Sequence, residues 1–210
     1  DIDLVVSDIM MPGIDGIELC RRIKDDVNTS HIPVILLSAK TDAGSKIEGL
    51  EYGADAYIEK PFSPEHLKAQ IASLFRKRHL LHDAYSKMPV SQIRSMAQSR
   101  RDGEFLDACR KVVVANMSNS GLSVDFLAAE MGLSRTAIFK KLKALTGMTP
   151  NDFMKTIRLD EACRMLVEGK YSITEIGFVT GFSSSSYFAK CFVKQFGVLP
   201  SEYLQNADKK

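Results

Sequence analysis

Three residues able to act on a phosphoryl group stand at the ends of three short apolar runs. Asp8 closes LVVSD (4–8), Ser38 closes PVILLS (33–38) and Lys60 closes DAYIEK (55–60). A carboxylate can serve as a nucleophile toward phosphorus. The oxygens it then carries need a cation and a hydroxyl donor, which a lysine and a serine supply. Taken singly, such residues are more often a turn cap, a strand end and a solvated charge. Three of them at the same place in three similar runs are poorly explained that way.

The order of elements around them would bring them together. Apolar residues at helical spacing separate the runs: Ile17, Cys20 and Ile23, then Ile47, Leu50 and Tyr52, then Leu67, Ile71 and Leu74. β-Branched runs alternating with helices predict an α/β fold, a parallel sheet covered on both faces. In such sheets the ligand crevice lies beyond the carboxyl ends of the strands. Asp8, Ser38 and Lys60 are therefore expected at one site.

Charge divides the chain. Residues 1–78 carry ten Lys and Arg against thirteen Asp and Glu, net −3, whereas residues 104–210 carry fourteen against eleven, net +3. An acidic front and a basic back suggest two domains, with any polyanion bound by the second. The sequence predicts domains at 1–78 and 104–206 joined by a polar linker at 79–103, which holds Pro89 and Gly103. Cys20, Cys109, Cys163 and Cys191 lie in apolar helical patterns without a C-x-x-C pair, as expected of buried free thiols in a reducing cytoplasm. The four histidines match no metal spacing. The apolar runs are too short to span a bilayer, and no signal peptide is expected.

The back half repeats itself. LAAEMGLSRTAIFKKLKALTGMTPNDF (127–153) parallels IGFVTGFSSSSYFAKCFVKQFGVLPSEY (176–203), with Gly132 matching Gly181, Gly147 matching Gly197 and Pro150 matching Pro200. Each unit reads as a short helix, a Gly turn, a Ser at an N-cap and a longer amphipathic helix, which is helix-turn-helix organisation. In the first long helix Ile138, Leu142 and Leu145 form the apolar stripe, opposite Thr136, Phe139, Lys140 and Lys143. In the second, Phe188, Cys191 and Phe192 point inward, and Ser186, Lys190 and Lys194 line the other face, with Ser185 and Tyr187 beside them. Neither helix has an acid in its first turn, where one is ordinarily favoured. That suits a helix start that meets phosphates. Between the units, PNDFMKTIRLDEACRMLVEGK predicts one continuous helix of about eighteen residues, roughly 27 Å long.

The front motifs VVSDIMMPGIDGIELCRRIK, IPVILLSAK and GADAYIEKPF resemble the second half of a CheY-like response-regulator receiver, over about residues 1–76. The resemblance implies a flavodoxin-like fold lacking its first two strands, with Asp8 as phosphoacceptor and Lys60 paired to the phosphoryl group. It also makes Ser38 the switch hydroxyl, Tyr57 the aromatic that moves with it, and Lys60–Pro61 a cis bond. Receivers hold Mg²⁺ with an acidic pair after their first strand. No counterpart of that pair is present, and only Asp8 and the Met10 carbonyl remain. The metal site is thus expected to be incomplete, Mg²⁺ binding weak or absent, and phosphate uptake by this chain poor. Without the first two strands, the edge at residues 4–8 is expected to be uncovered, and either to pair with a second copy in a homodimer or to leave the front domain loosely ordered.

Residues 104–205, closing on FGVLPSEYL, resemble an AraC/XylS-type DNA-binding domain, all-α with two helix-turn-helix units. By that resemblance Thr136, Phe139 and Lys140, then Ser185, Ser186, Tyr187 and Lys190, are candidate base readers. Phe139 suits a thymine methyl, and Lys140 or Lys190 the O6 and N7 of guanine. Arg135, Lys143 and Lys194 are expected on phosphates. The second helix, with serines at reading positions, is expected mainly to hold the backbone.

Together the resemblances imply a non-enzymatic, phosphorylation-controlled transcription regulator of a two-component system. Its partners would be double-stranded DNA, a histidine kinase domain as phosphodonor and RNA polymerase. The expected location is the cytoplasm, and the fusion resembles the C-terminal tail of hybrid sensors whose full chain is anchored in the inner membrane. Two alternatives stand beside this reading. One is a degenerate receiver serving only as a dimerisation module, and the other a phosphotransfer sink.

Overall fold

A computed structural model describes residues 2–39, 53–85, 99–119 and 121–207, which fall into two compact units. The first is α/β. Strands β1 (Val5–Asp8), β2 (Val34–Ala39) and β3 (Ala56–Lys60) form a parallel sheet in the order β1-β2-β3. Val34, Ile35 and Leu36 of the central strand are wholly buried, as a strand covered on both faces requires. Helix α1 (Gly16–Asp25) turns Ile17 and Cys20 into a core with Ile9, Val34, Leu36 and Ala54, and half-buried Tyr57 packs against it. The third expected helical pattern is α2 (Pro64–Tyr85), on which Leu67, Ile71 and Leu74 are half-buried. The second pattern, at Ile47, Leu50 and Tyr52, lies outside the described residues.

Local chemistry explains how β1 hands over to α1. Asp15 caps the helix by accepting from the Glu18 amide at 2.7 Å. Gly16 donates its amide to the Ile9 carbonyl at 2.9 Å. A Cβ on Gly16 would stand 2.1 Å from the Asp8 carbonyl oxygen, so only glycine lets the helix start this close to the strand end. A largely buried ion pair ties α1 to the start of β3. Lys24 Nζ meets Asp55 Oδ2 at 2.7 Å, and the same oxygen accepts the Val34 amide at 2.8 Å. Residues 99–102 also belong to this unit, and the buried Asp102 carboxylate accepts from Ser30 Oγ at 2.7 Å and Ser99 Oγ at 2.8 Å.

The stretch expected to be an extended linker, 79–103, is helical at both ends. Helix α2 runs on to Tyr85 because HLLHDAY holds no Gly or Pro, and α3 (Arg100–Ala115) opens at Arg100. Gly103, expected to break structure, sits within α3, whose first turn Ser99 secures by accepting the Asp102 amide at 3.1 Å. Arg101 is exposed and contacts the Asp25 backbone carbonyl and carboxylate. Residues 86–98 lie outside the described residues.

The second unit is all-helical. After α3 come α4 (Val124–Glu130), α5 (Arg135–Thr146), α6 (Pro150–Glu168), α7 (Ile173–Val179), α8 (Ser185–Phe196) and α9 (Pro200–Ala207). The repeat read in the sequence is matched in length, a 7-residue helix followed by one of 12 residues in each copy. The expected connecting helix is α6, of 19 residues, with Thr149 at its N-cap and Gly169 ending it in the left-handed conformation. Its apolar face packs Leu159, Ala162, Cys163 and Leu166 against Ile176, Phe182, Phe188 and Phe192. Among the described residues, no helix is long and apolar enough to cross a membrane.

Candidate functional site

Asp8 and Lys60 end strands that are not neighbours, yet the Lys60 ammonium contacts the Asp8 carboxylate directly. The hydrogen bond from Lys60 holds the Asp8 carboxyl below its ordinary range, and the amides of Met10 and Ile9 add to the effect. The Met10 amide lies 3.4 Å from Asp8 Oδ1. Both side chains are partly exposed, so a phosphoryl donor has access to the carboxylate. Lys60 is joined to Pro61 by a cis peptide bond, as expected.

Ser38 is the next-to-last residue of the intervening strand β2 and pairs in register with Glu59, one residue before Lys60. It is fully buried, and its hydroxyl has no hydrogen-bond partner among the described residues. A buried hydroxyl left unsatisfied costs free energy and is uncommon in folded proteins. Tyr57 pairs with Leu36, further back along the strands, and its hydroxyl is buried. The structure thus joins Asp8 to Lys60, sets Ser38 at the neighbouring strand end and keeps Tyr57 in the core behind.

The donors for a divalent metal are fewer. Among the described residues no three His, Cys, Asp or Glu side chains come together as a metal-holding group. Asp8 and the Met10 carbonyl make only part of the oxygen shell that Mg²⁺ requires, so the residues described do not by themselves fit the ion.

In the second unit the two long helices present the faces read from the sequence. On α5, Ile138, Leu142 and Leu145 are buried, while Thr136, Phe139, Lys140 and Lys143 are exposed. On α8, Phe188 and Phe192 are buried and Cys191 half-buried, while Ser186, Tyr187, Lys190 and Lys194 are exposed and Ser185 half-buried. Ser134 caps α5 and Ser184 caps α8, each accepting an amide three residues on, at 3.1 and 3.2 Å. Every other described helix carries an acid in its first turn: Glu18, Glu65, Asp102, Asp125, Asp152, Glu175 or Glu202. Among the described helices only α5 and α8 have none. The positive ends of these two helices are thus not offset by an acid of their own first turn.

Two of the residues expected on phosphates also bond within the chain. Arg135 pairs with Asp125 at 2.6 Å, both highly exposed, and Lys143 donates to the Gly147 carbonyl at 2.6 Å. The sequence pattern does not single out Lys141. It is buried beside exposed Lys140 and lies 4.9 Å from the centre of the Phe105 ring. The amphipathic spacing carries that signal, since 141, 138 and 145 share a face. Burial pushes the Cys109 and Cys163 thiols up to about 12 and Cys20 up to about 11, consistent with inert core thiols.

Family comparisons divide the chain as the structure does. Residues 1–72 match the response regulator receiver domain and residues 127–206 the helix-turn-helix domain. A histidine kinase of Formosa agariphila is 40% identical over 200 residues, covering 95% of this chain and 15% of that protein. The phosphate regulon transcriptional regulatory protein PhoB of Pseudomonas aeruginosa is 52% identical over 75 residues, 36% of this chain and 33% of its own length. A crystal structure of a probable AraC family transcriptional regulator from Rhodopseudomonas palustris is 31% identical, with a TM-score of 0.42 over 48% of this chain and 94% of that one. The chain therefore spans well under half the length of the curated relatives it matches.

Proposed function

We propose that this chain, whose residues 1–72 match the response regulator receiver domain and 127–206 the helix-turn-helix domain, is a two-component response regulator with an AraC-type DNA-binding domain and regulates transcription under the control of a phosphoryl group on Asp8. This pairing of domains is the architecture of a transcription factor and not of an enzyme. The observation that carries the phosphorylation reading is the Asp8–Lys60 contact beside a buried Ser38 hydroxyl that has no partner among the described residues. Lys60 keeps the Asp8 carboxylate ionised. An Asp8 oxygen attacks the phosphorus of a phosphohistidine on a kinase domain, the P–N bond breaks, and its electron pair returns to the imidazole. The ammonium then faces a phosphoryl oxygen in place of the carboxylate, and the Ser38 hydroxyl, which has no partner among the described residues, gains a phosphoryl oxygen as acceptor.

On the output side, α5 and α8 enter the major groove of double-stranded DNA. Thr136, Phe139 and Lys140 read bases, Ser185, Ser186, Tyr187 and Lys190 lie against the second groove segment, and Arg135, Lys143 and Lys194 meet phosphates. The likeness of 95% of this chain to a small part of a histidine kinase supports a role as the receiver and output segment of a longer sensor. On this reading the output would work in the cytoplasm and act on RNA polymerase. Phosphorylation through Mg²⁺ would draw on donors beyond Asp8 and Met10.

A second reading rests on the sheet. Among the described residues β1 pairs only with β2, and Val6 is 38% exposed. The edge at residues 4–8 would then pair with a second copy, making the receiver a dimerisation module; a monodisperse monomer by light scattering contradicts it. Intact mass after incubation with Mg²⁺ and acetyl phosphate tests the main reading. This chain is compared with a form extended at its N-terminus by a receiver's first two strands. A phosphoryl gain lost in Asp8→Asn supports the reading, and no gain in either form contradicts it.

A further inference from the structure

Helix α6 carries a lysine that the two recognition helices do not account for. Its core stripe of Leu159, Ala162, Cys163 and Leu166 packs on Phe188 and Phe192 of α8. One turn back along the same stripe, at the i−4 position from Leu159, stands Lys155, half-buried and clear of the core. Its ammonium lies 3.0 Å from Asp152 Oδ1. The Asp152 carboxylate is fixed in turn, since its other oxygen accepts from Thr149 Oγ1 at 2.7 Å at the helix cap. Lys155 is thus aimed by a chain of contacts that begins at the N-cap of α6.

The groups around this pair belong to α8. Lys155 is within electrostatic reach of the Tyr187 hydroxyl and Cys191, and Asp152 is within reach of Lys194. Tyr187, Cys191 and Lys194 stand at i, i+4 and i+7, one flank of the recognition helix. Tyr187 and Lys194 are exposed there. The Asp152 carboxylate therefore bonds the Lys155 ammonium and lies within electrostatic reach of a second, that of Lys194.

We propose that Lys155 is a DNA-phosphate contact contributed by the connecting helix to the second recognition surface, and that Asp152 holds it in place until a backbone phosphate replaces the carboxylate. The proposal rests on the DNA-binding reading above and adds a residue from outside both long helices. It makes the two partners of one ion pair act in opposite directions. Losing Lys155 removes a cation from the phosphate path, whereas neutralising Asp152 removes a competing anion and frees both lysines for DNA.

The test is the salt dependence of binding to a random-sequence DNA duplex by the full chain, followed by fluorescence anisotropy. Lys155→Ala is expected to weaken binding and lower the slope of log Kobs against log salt by about 1. Lys155→Arg is expected to keep the slope, and Asp152→Asn to bind several-fold tighter. If both Lys155→Ala and Asp152→Asn weaken binding with the slope unaltered, the pair only braces α6 and the proposal is overturned. It is overturned equally if Lys155→Arg fails to restore the slope. If the unaltered chain does not bind the duplex even at low salt, the DNA-binding reading falls first and this proposal with it.

Discussion

The Lys60 ammonium reaches the Asp8 carboxylate across the end of β2, the strand that separates β1 from β3. The register pairs Asp8 with Leu37 and Lys60 with Ala39, two residues further along β2, an offset that the long lysine side chain spans. Because Lys60 lowers the Asp8 pKa, Lys60→Ala is expected to raise the carboxyl titration midpoint toward its ordinary value of about 3.9, read by NMR. The sign for stability follows. A carboxyl whose pKa is lower folded than unfolded stabilises the fold above the unfolded value, and that contribution is lost as pH falls through the folded one. Acid unfolding of Lys60→Ala should therefore be less steep in this range than that of the unaltered chain.

Gly16 is the residue on which the approach of α1 to Asp8 depends. A Cβ there would meet the Asp8 backbone, which cannot yield as a side-chain tip can. Gly16→Ala is expected to lower stability by about 1–3 kcal/mol, seen as a lower urea midpoint with an unchanged m-value.

Phe188 and Phe139 are both aromatic and both on recognition helices, but they should behave oppositely. Phe188 is fully buried, its ring 5.1 Å from Phe182 and 5.6 Å from Phe192, so Phe188→Ala is expected to cost about 3–5 kcal/mol. Phe139 is 45% exposed, and Phe139→Ala should change stability by only about 0.5 kcal/mol. Its effect should appear in the sequences selected from a randomised duplex library.

On the proposed reading, Lys140 and Lys143 separate base reading from phosphate holding. Lys140→Ala is expected to relax sequence preference in the same selection. Lys143→Ala should weaken all duplexes about equally and lower the salt slope by about 1. Equal effects of both changes on selected and random DNA would contradict the assignment of roles on α5.

The sequence is most legible where a period or a repeat speaks. Alternating β-branched runs place Asp8, Ser38 and Lys60 at strand ends, and the doubled Gly and Ser positions locate both helix-turn-helix units. Contacts between distant elements leave no local trace. The Lys24–Asp55 pair joins residues 31 positions apart, and neither residue belongs to a pattern that marks it as buried. Around the linker, Pro89 and Gly103 suggest a break more strongly than the uninterrupted helix formers before them and the Ser99 cap after suggest helices. Lys155 is hidden for a related reason. On sequence it is one charge on an amphipathic helix, and only the packing of α6 on α8 brings it within reach of Tyr187 and Cys191.

The central claim is that a phosphoryl group on Asp8 governs DNA binding. Its most direct test is the affinity for a selected duplex of the phosphate-accepting form, with and without acetyl phosphate, alongside Asp8→Asn. A change of roughly 5-fold or more on phosphorylation, absent in Asp8→Asn, is the predicted result. Equal affinity in all states, with phosphate shown by mass to be on Asp8, would contradict it and leave the receiver as a docking module alone.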